Sequence, residues 1–199
     1  MGGDRSLPLP SARLRLELLF RVAVVALVCL VSGAGAQAHS VLTGRLIGIA
    51  DGDTITVLDA SKTQHRIRIA GIDAPERGQA GGQRSKESLS ALVYDQPVRV
   101  ESNKQDRFDR IVGKVWVASP DSPCRGKPDC PTTLDAGLAQ ITMGRARWFR
   151  KYADEQSPED RGRYELAERE ALSRRVGLWR DGTAVPPWEW RAARTNSSK

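Results

Sequence analysis

Acids and arginines gather in three short stretches of this chain. Asp51-Gly52-Asp53 interrupts the run "IADGDTITV" (49–57), "RIRIAGIDAPE" (66–76) carries Arg66, Arg68, Asp73 and Glu76, and "DRFDR" (106–110) carries Asp106, Arg107, Asp109 and Arg110. Strands usually avoid Asp and Gly, so a pair of acids flanking a glycine inside strand-like sequence needs a reason. Carboxylates that converge can hold a hard cation through oxygen ligands. A guanidinium can grip two phosphate oxygens at once and keeps its charge at any ordinary pH. Soft-metal chemistry has little to work with, because the two histidines are His39 and His65 and cysteine is scarce. Each stretch also has a bland reading. Asp-Gly is a common turn pair. Arg66 and Arg68 suit a solvated strand face, and Asp73 to Glu76 suits a loop leading into a helix. Arg110 has Asp106 and Asp109 as surface partners.

The elements that must position these groups are legible as alternation and periodicity. Val41 to Leu58 reads as strand on both sides of the Asp-Gly-Asp break, and "QHRIRIAGI" (64–72) sets Ile67 and Ile69 against Arg66 and Arg68. "PVRVES" (97–102) and "IVGKVWV" (111–117) complete five strand candidates. A helix over 81–96 puts Leu89, Leu92 and Val93 on one face, and a second over 134–144 groups Leu134, Leu138 and Ile141, with Gly144 as its stop. A third over 157–177 opens with Ser157 as N-cap and Pro158 at the first helical position, and ends at Gly177. Short strands with a helix inserted after the third predict an α+β, mainly β fold. It is a five-stranded OB-type barrel with about three helices, an architecture that binds oligonucleotides.

Taken together, "DGDT" (51–54), Arg68 with Asp73 and Glu76 at fixed spacing, and "DRFDR" resemble the staphylococcal-type thermonuclease family. Its pattern is Asp-Gly-Asp-Thr, then Arg-x-x-x-x-Asp-x-Pro-Glu, then Asp-x-Tyr-Gly-Arg. The resemblance runs over roughly residues 41–191 and implies the same barrel. It also implies a calcium-dependent nuclease acting on DNA and RNA, preferring single strands and leaving 3′-phosphate products. By that resemblance Asp53, Asp73 and the backbone carbonyl of Ala74 hold the Ca2+, with Asp51 nearby. Glu76 serves as general base or orienter of the attacking water, and Arg68 and Arg110 clamp the phosphate. Arg107, Phe108, Phe149 and Tyr152 become candidate substrate contacts. Phe149 and Tyr152 suit base stacking beside Arg147, Arg150 and Lys151, or plain core packing. The sequence departs from the pattern at Phe108 (for Tyr), Asp109 (for Gly), Ala74 (for Thr) and in a longer loop, 118–133. Asp109 tolerates a positive φ better than most residues if the turn needs one. The full set Asp53, Asp73, Glu76, Arg68 and Arg110 argues against the other reading, a barrel that binds nucleic acid without cutting it.

The bulk properties agree with an anionic partner without demanding one. The 199 residues carry a net charge of +7 and a pI near 9.7. The N-terminal segment has four arginines, an apolar run "VAVVALVCLV" (22–31) and then "AQA" (36–38), the anatomy of a signal peptide cleaved after Ala38. Export to the periplasm or medium follows, with an uncleaved inner-membrane anchor as the alternative. Cleavage removes Cys29 and leaves Cys124 and Cys130, which read as one disulfide in an exported chain. Two metal-ligand thiols are the other reading, although neither His nor another Cys lies nearby. We divide the chain into a signal (1–38), a nuclease-like domain (39–191) and a disordered tail (192–199). "GLWRDGTAVPPWEWR" (177–191) reads as a structural strap in which Trp179, Trp188 and Trp190 pack against the barrel. Nothing calls for a protein partner, so a monomer is expected.

Overall fold

The computed structural model describes residues 40–180, 182 and 184–197, so the expected signal segment lies outside the described residues. Among the described residues, eight strands and four α-helices follow one another. These are β1 (Ser40–Ile49), β2 (Thr54–Leu58), β3 (Gln64–Ile69), β4 (Ile72–Asp73), α1 (Gly82–Val93), β5 (Pro97–Gln105), β6 (Ile111–Val117), β7 (Leu134–Asp135), α2 (Ala136–Thr142), β8 (Arg147–Trp148), α3 (Pro158–Ser173) and α4 (Pro187–Ser197). Short 3-10 turns cover Arg150–Glu155 and Gly177–Trp179.

Five strands close the expected barrel in the order β3-β2-β1-β5-β6, and a parallel pairing of β3 with β6 seals it. Inward residues at period two fill the interior: Leu46, Ile55, Val57, Ile67, Val100 and Val115 are almost fully buried. Leu89 and Val93 of α1, Ile141 of α2 and Tyr164 of α3 cover it from outside. Ser157 caps α3 through its hydroxyl, with Pro158 in the first turn, as its sequence predicts. α2 stops at Thr142, and Gly144 takes the left-handed conformation that ends it.

Three expectations change. The helix expected to reach Gly177 ends at Ser173, because Arg175 turns left-handed before the glycine is reached. The helix expected over 134–144 starts only at Ala136, because Leu134 and Asp135 form β7, paired with β6; beyond Gly144, Arg147 and Trp148 form β8, paired with β4. The tail expected to be disordered from residue 192 instead continues α4 as far as Ser197. Pro187 starts that helix from a buried position, and Arg191 ties it to the barrel by ion pairs. Cys124 and Cys130 are bridged. Within the loop they close, Arg125 donates to the carbonyls of Ala91 and Leu92 at the end of α1, 2.8 Å each.

Candidate active site

The three chemical stretches meet at one end of the barrel because strand register brings them there. β2 and β3 pair antiparallel with Thr54 opposite Arg68, so the Asp-Gly-Asp turn that enters β2 lies beside the exit of β3. The N–H of Ile69 donates to the carbonyl of Asp53 at 2.8 Å. β6 runs parallel to β3 from Ile111, which sets Arg110 alongside. β4 and β8 then hold Asp73 opposite Arg147. Glu168 of α3 braces that small sheet by accepting from the N–H of Trp148 and from Arg150.

The glycine between the two acids is a packing requirement. A Cβ on Gly52 would lie 1.9 Å from Ser85 Oγ and 2.8 Å from the methyl of Ala74. Only glycine lets the turn sit this close to α1. Gln140, fully buried on α2, reaches into the same junction. Its amide donates to the carbonyls of Gly52 (3.1 Å) and Ser85 (3.0 Å), while its oxygen accepts from Ser88.

Asp53 is 6% exposed and Asp73 has no exposed surface. Asp53 accepts from the hydroxyl of Thr54 and from the N–H of Ala74, each at 3.0 Å, which ties the backbone at Ala74 to the acid. Asp51 accepts from the N–H of Asp53. Burial first, then the charge of Asp53, pushes the Asp51 carboxyl up to about 6. Burial also raises Asp73, against the opposing hydrogen bond from Arg191. These groups therefore form a crowded, electron-rich oxygen cluster.

Both expected arginines are present and oriented. Arg68 donates to Asp73 (3.1 Å) and to the carbonyl of Ile72 (3.2 Å), lies 3.6 Å from Asp53, and rests over the ring of Phe149. Arg110 is gripped by Asp106 (2.8 Å from Nε) and donates to Thr54 Oγ1 (3.2 Å), which in turn donates to Asp53. Thr54 thus couples the second arginine to the acid cluster, a role that its place in "DGDT" marks but does not explain. Asp109 has φ +57°, the left-handed geometry that its turn requires. Phe108 is exposed, with Arg107 and Arg110 over its ring.

A cleft of about 1200 Å3 opens over this end, lined by Asp51, Asp53, Arg68, Asp73, Glu76 and Arg110, and flanked by Arg107, Phe108, Phe149 and Tyr152. The expected substrate contacts all border it. Two residues of α4 do as well. Trp188 stacks on Phe149, centroids 5.7 Å apart and planes 10° from parallel, and Arg191 bonds both Asp73 and Glu76. Trp188 was expected to pack structurally, and nothing in the sequence marks Arg191, which lies 115 positions from Glu76.

Residues 66–181 match the model of the staphylococcal nuclease homologue family. The chain is 38% identical to the micrococcal nuclease of Shigella flexneri over 88% of its own length and 94% of that protein. It is 37% identical to protein ParB of Escherichia coli over 87% of itself and 92% of the relative. An uncharacterized endonuclease of Haemophilus influenzae is 32% identical, covering 75% and 72% of the two chains. The chain belongs to the staphylococcal nuclease homologue family. That membership accounts for the barrel. Among the described residues, no three Asp, Glu, His or Cys side chains stand ready in a metal-holding arrangement. The donors on hand are nonetheless all hard oxygens, and the Arg191 guanidinium lies between Asp73 and Glu76.

Proposed function

We propose that this protein is an exported, calcium-dependent nuclease that hydrolyses phosphodiester bonds in DNA and RNA, preferring single strands. The observation that carries the reading is the convergence of Arg68 and Arg110 with Asp53, Asp73 and Glu76 in one cleft rimmed by aromatic side chains. Asp53 and Asp73, with the carbonyl of Ala74, are the residues that would hold the ion, and Asp51 stands behind them. Calcium there supplies Lewis-acid stabilisation of charge on the phosphate.

The chain's own groups do the rest. Arg68 and Arg110 approach a phosphate from two sides and bind it more tightly as its oxygens gain charge. Glu76, partly exposed on the cleft wall, accepts the proton of the water whose oxygen bonds to phosphorus, and the P–O5′ bond breaks, the 5′ oxygen taking a proton from solvent to leave a 5′-hydroxyl and a 3′-phosphate. Phe108 and Tyr152 are exposed at the rim, with cationic side chains over their rings, and are the groups on which unpaired bases would stack. Export is supported by the signal-like residues 1–38 and by the bridge between Cys124 and Cys130.

The test is digestion of single-stranded DNA by the full chain with calcium and with a chelator, run beside Glu76→Gln. Cutting should require calcium and fall by about 10²–10⁴-fold in the variant. Oligonucleotide binding without any cutting would replace this reading with that of a binding module.

A further inference from the structure

One carboxylate assigned above to a divalent cation, Asp73, and its neighbour Glu76 already share a positive side chain, Arg191. Arg191 places Nη1 3.1 Å from Asp73 Oδ1 and 2.6 Å from Glu76 Oε1, and Nη2 2.7 Å from Asp73 Oδ2. Both oxygens of Asp73 are thereby engaged. A carboxylate with no exposed surface needs a counter-charge, and this two-pronged contact provides it. Burial works against the Arg191 charge, but its bonds to Asp73 and Glu76 outweigh that and push its pKa further up. A divalent ion and a guanidinium cannot hold the same oxygens, since the two charges repel at contact distance. The Arg191 side chain is 40% exposed, so it has a path into water.

The same helix bears a second contact with the cleft. Trp188 lies three residues before Arg191, hence on the same face of α4, and covers the ring of Phe149. Residues 192–196 of α4 are exposed. Arg191 and Trp188 thus both join this helix to side chains of the cleft.

We propose that Arg191 is a tethered counter-cation that sets the cation affinity of this site. It holds Asp73 and Glu76 until a divalent ion displaces it, and its departure lifts Trp188 from Phe149. The proposal rests on the calcium reading above. In this arrangement the apparent affinity for calcium equals the intrinsic affinity reduced by the fraction of molecules with Arg191 released.

The test is calorimetric titration of the full metal-free chain with calcium chloride, comparing wild type with Arg191→Gln and Arg191→Lys. It is paired with amide exchange of residues 187–197 with and without calcium. Arg191→Gln should bind calcium about tenfold more tightly or better, with Arg191→Lys in between, since a lysine keeps the charge but loses the fork. In wild type, calcium should speed exchange across 187–197. If Arg191→Gln does not fold, Arg191→Lys and the exchange measurement on wild type still decide. Equal or weaker binding by the variants, or exchange unchanged by calcium, overturns the proposal while leaving the calcium reading intact. Absence of calcium binding in every protein overturns both.

Discussion

Arg110 shows how a single side chain is kept ready. Asp106 accepts from the N–H groups of Phe108 and Arg110, and its second oxygen takes Nε of Arg110. Burial opposes the Asp106 charge, but the bonds from Arg110 prevail and hold its carboxyl below the usual value of 3.8. A folded pKa below the unfolded one means that the contribution to stability is present above about pH 4 and is lost as pH falls through the folded value. Asp106→Asn should therefore melt below wild type at pH 7, and the gap should narrow in thermal melts taken below pH 4. At neutral pH the variant should also cut more slowly, because Arg110 loses the charge that aims it. The turn itself was only half legible beforehand. That Asp109 could accept a positive φ was readable from its residue type, whereas the φ of +57° is a consequence of joining β5 to β6 in five residues.

At the scale of elements, the junction of α1, α2 and the Asp-Gly-Asp turn decides how well the acids are placed. Gln140 is fully buried there and satisfies two carbonyls from two different segments. Gln140→Leu keeps the volume roughly constant but strands those acceptors, a loss of about 2–3 kcal/mol in denaturant unfolding. Because one of the carbonyls belongs to Gly52, the calcium affinity proposed for the acid cluster should fall with stability, whereas a substitution affecting the core alone would lower stability only. Helical periodicity pointed to Leu138 and Ile141 as the packing face of this helix, and Ile141 is fully buried. It contained no indication that the polar residue between them would be the link to the site. A buried amide becomes recognisable only once its partners, 55 and 88 positions away, are known.

For the molecule as a whole, charge and the closed barrel act together. The net charge of +7 attracts any polyanion, but the cleft focuses that attraction where Arg66, Lys104, Arg107 and Lys151 surround the acid cluster. Some of these cations are already partnered, as Lys104 is by Glu155 at 2.5 Å, so fewer contacts form than the count suggests. Binding of single-stranded oligonucleotides by Glu76→Gln should weaken with salt. The slope of log K against log salt should be about −2 to −3, as expected for three or four phosphates neutralised on a single strand. Fluorescence anisotropy across a salt series checks this, and a slope near zero would place recognition in stacking alone. The disulfide belongs to this scale too. It closes a loop whose Arg125 holds the far end of α1, while the near end of the same helix packs on the turn of Gly52.

The sequence by itself determined the identity and order of the reactive groups. Their types and spacing are chemical requirements, and a purely structural chain has no reason to keep all of them. It also determined the barrel strands, because period-two alternation reports directly which face is buried. Only the tertiary structure decided what α4 does. The tail is short, basic and lacks a wide apolar face, so local propensity leaves it unordered. It becomes helical where Pro187 is buried and Arg191 finds two carboxylates brought together by strands far away in sequence. Long-range charge pairing of that kind has no local signature, and for that reason the guanidinium that occupies the acid cluster became visible only in the folded chain.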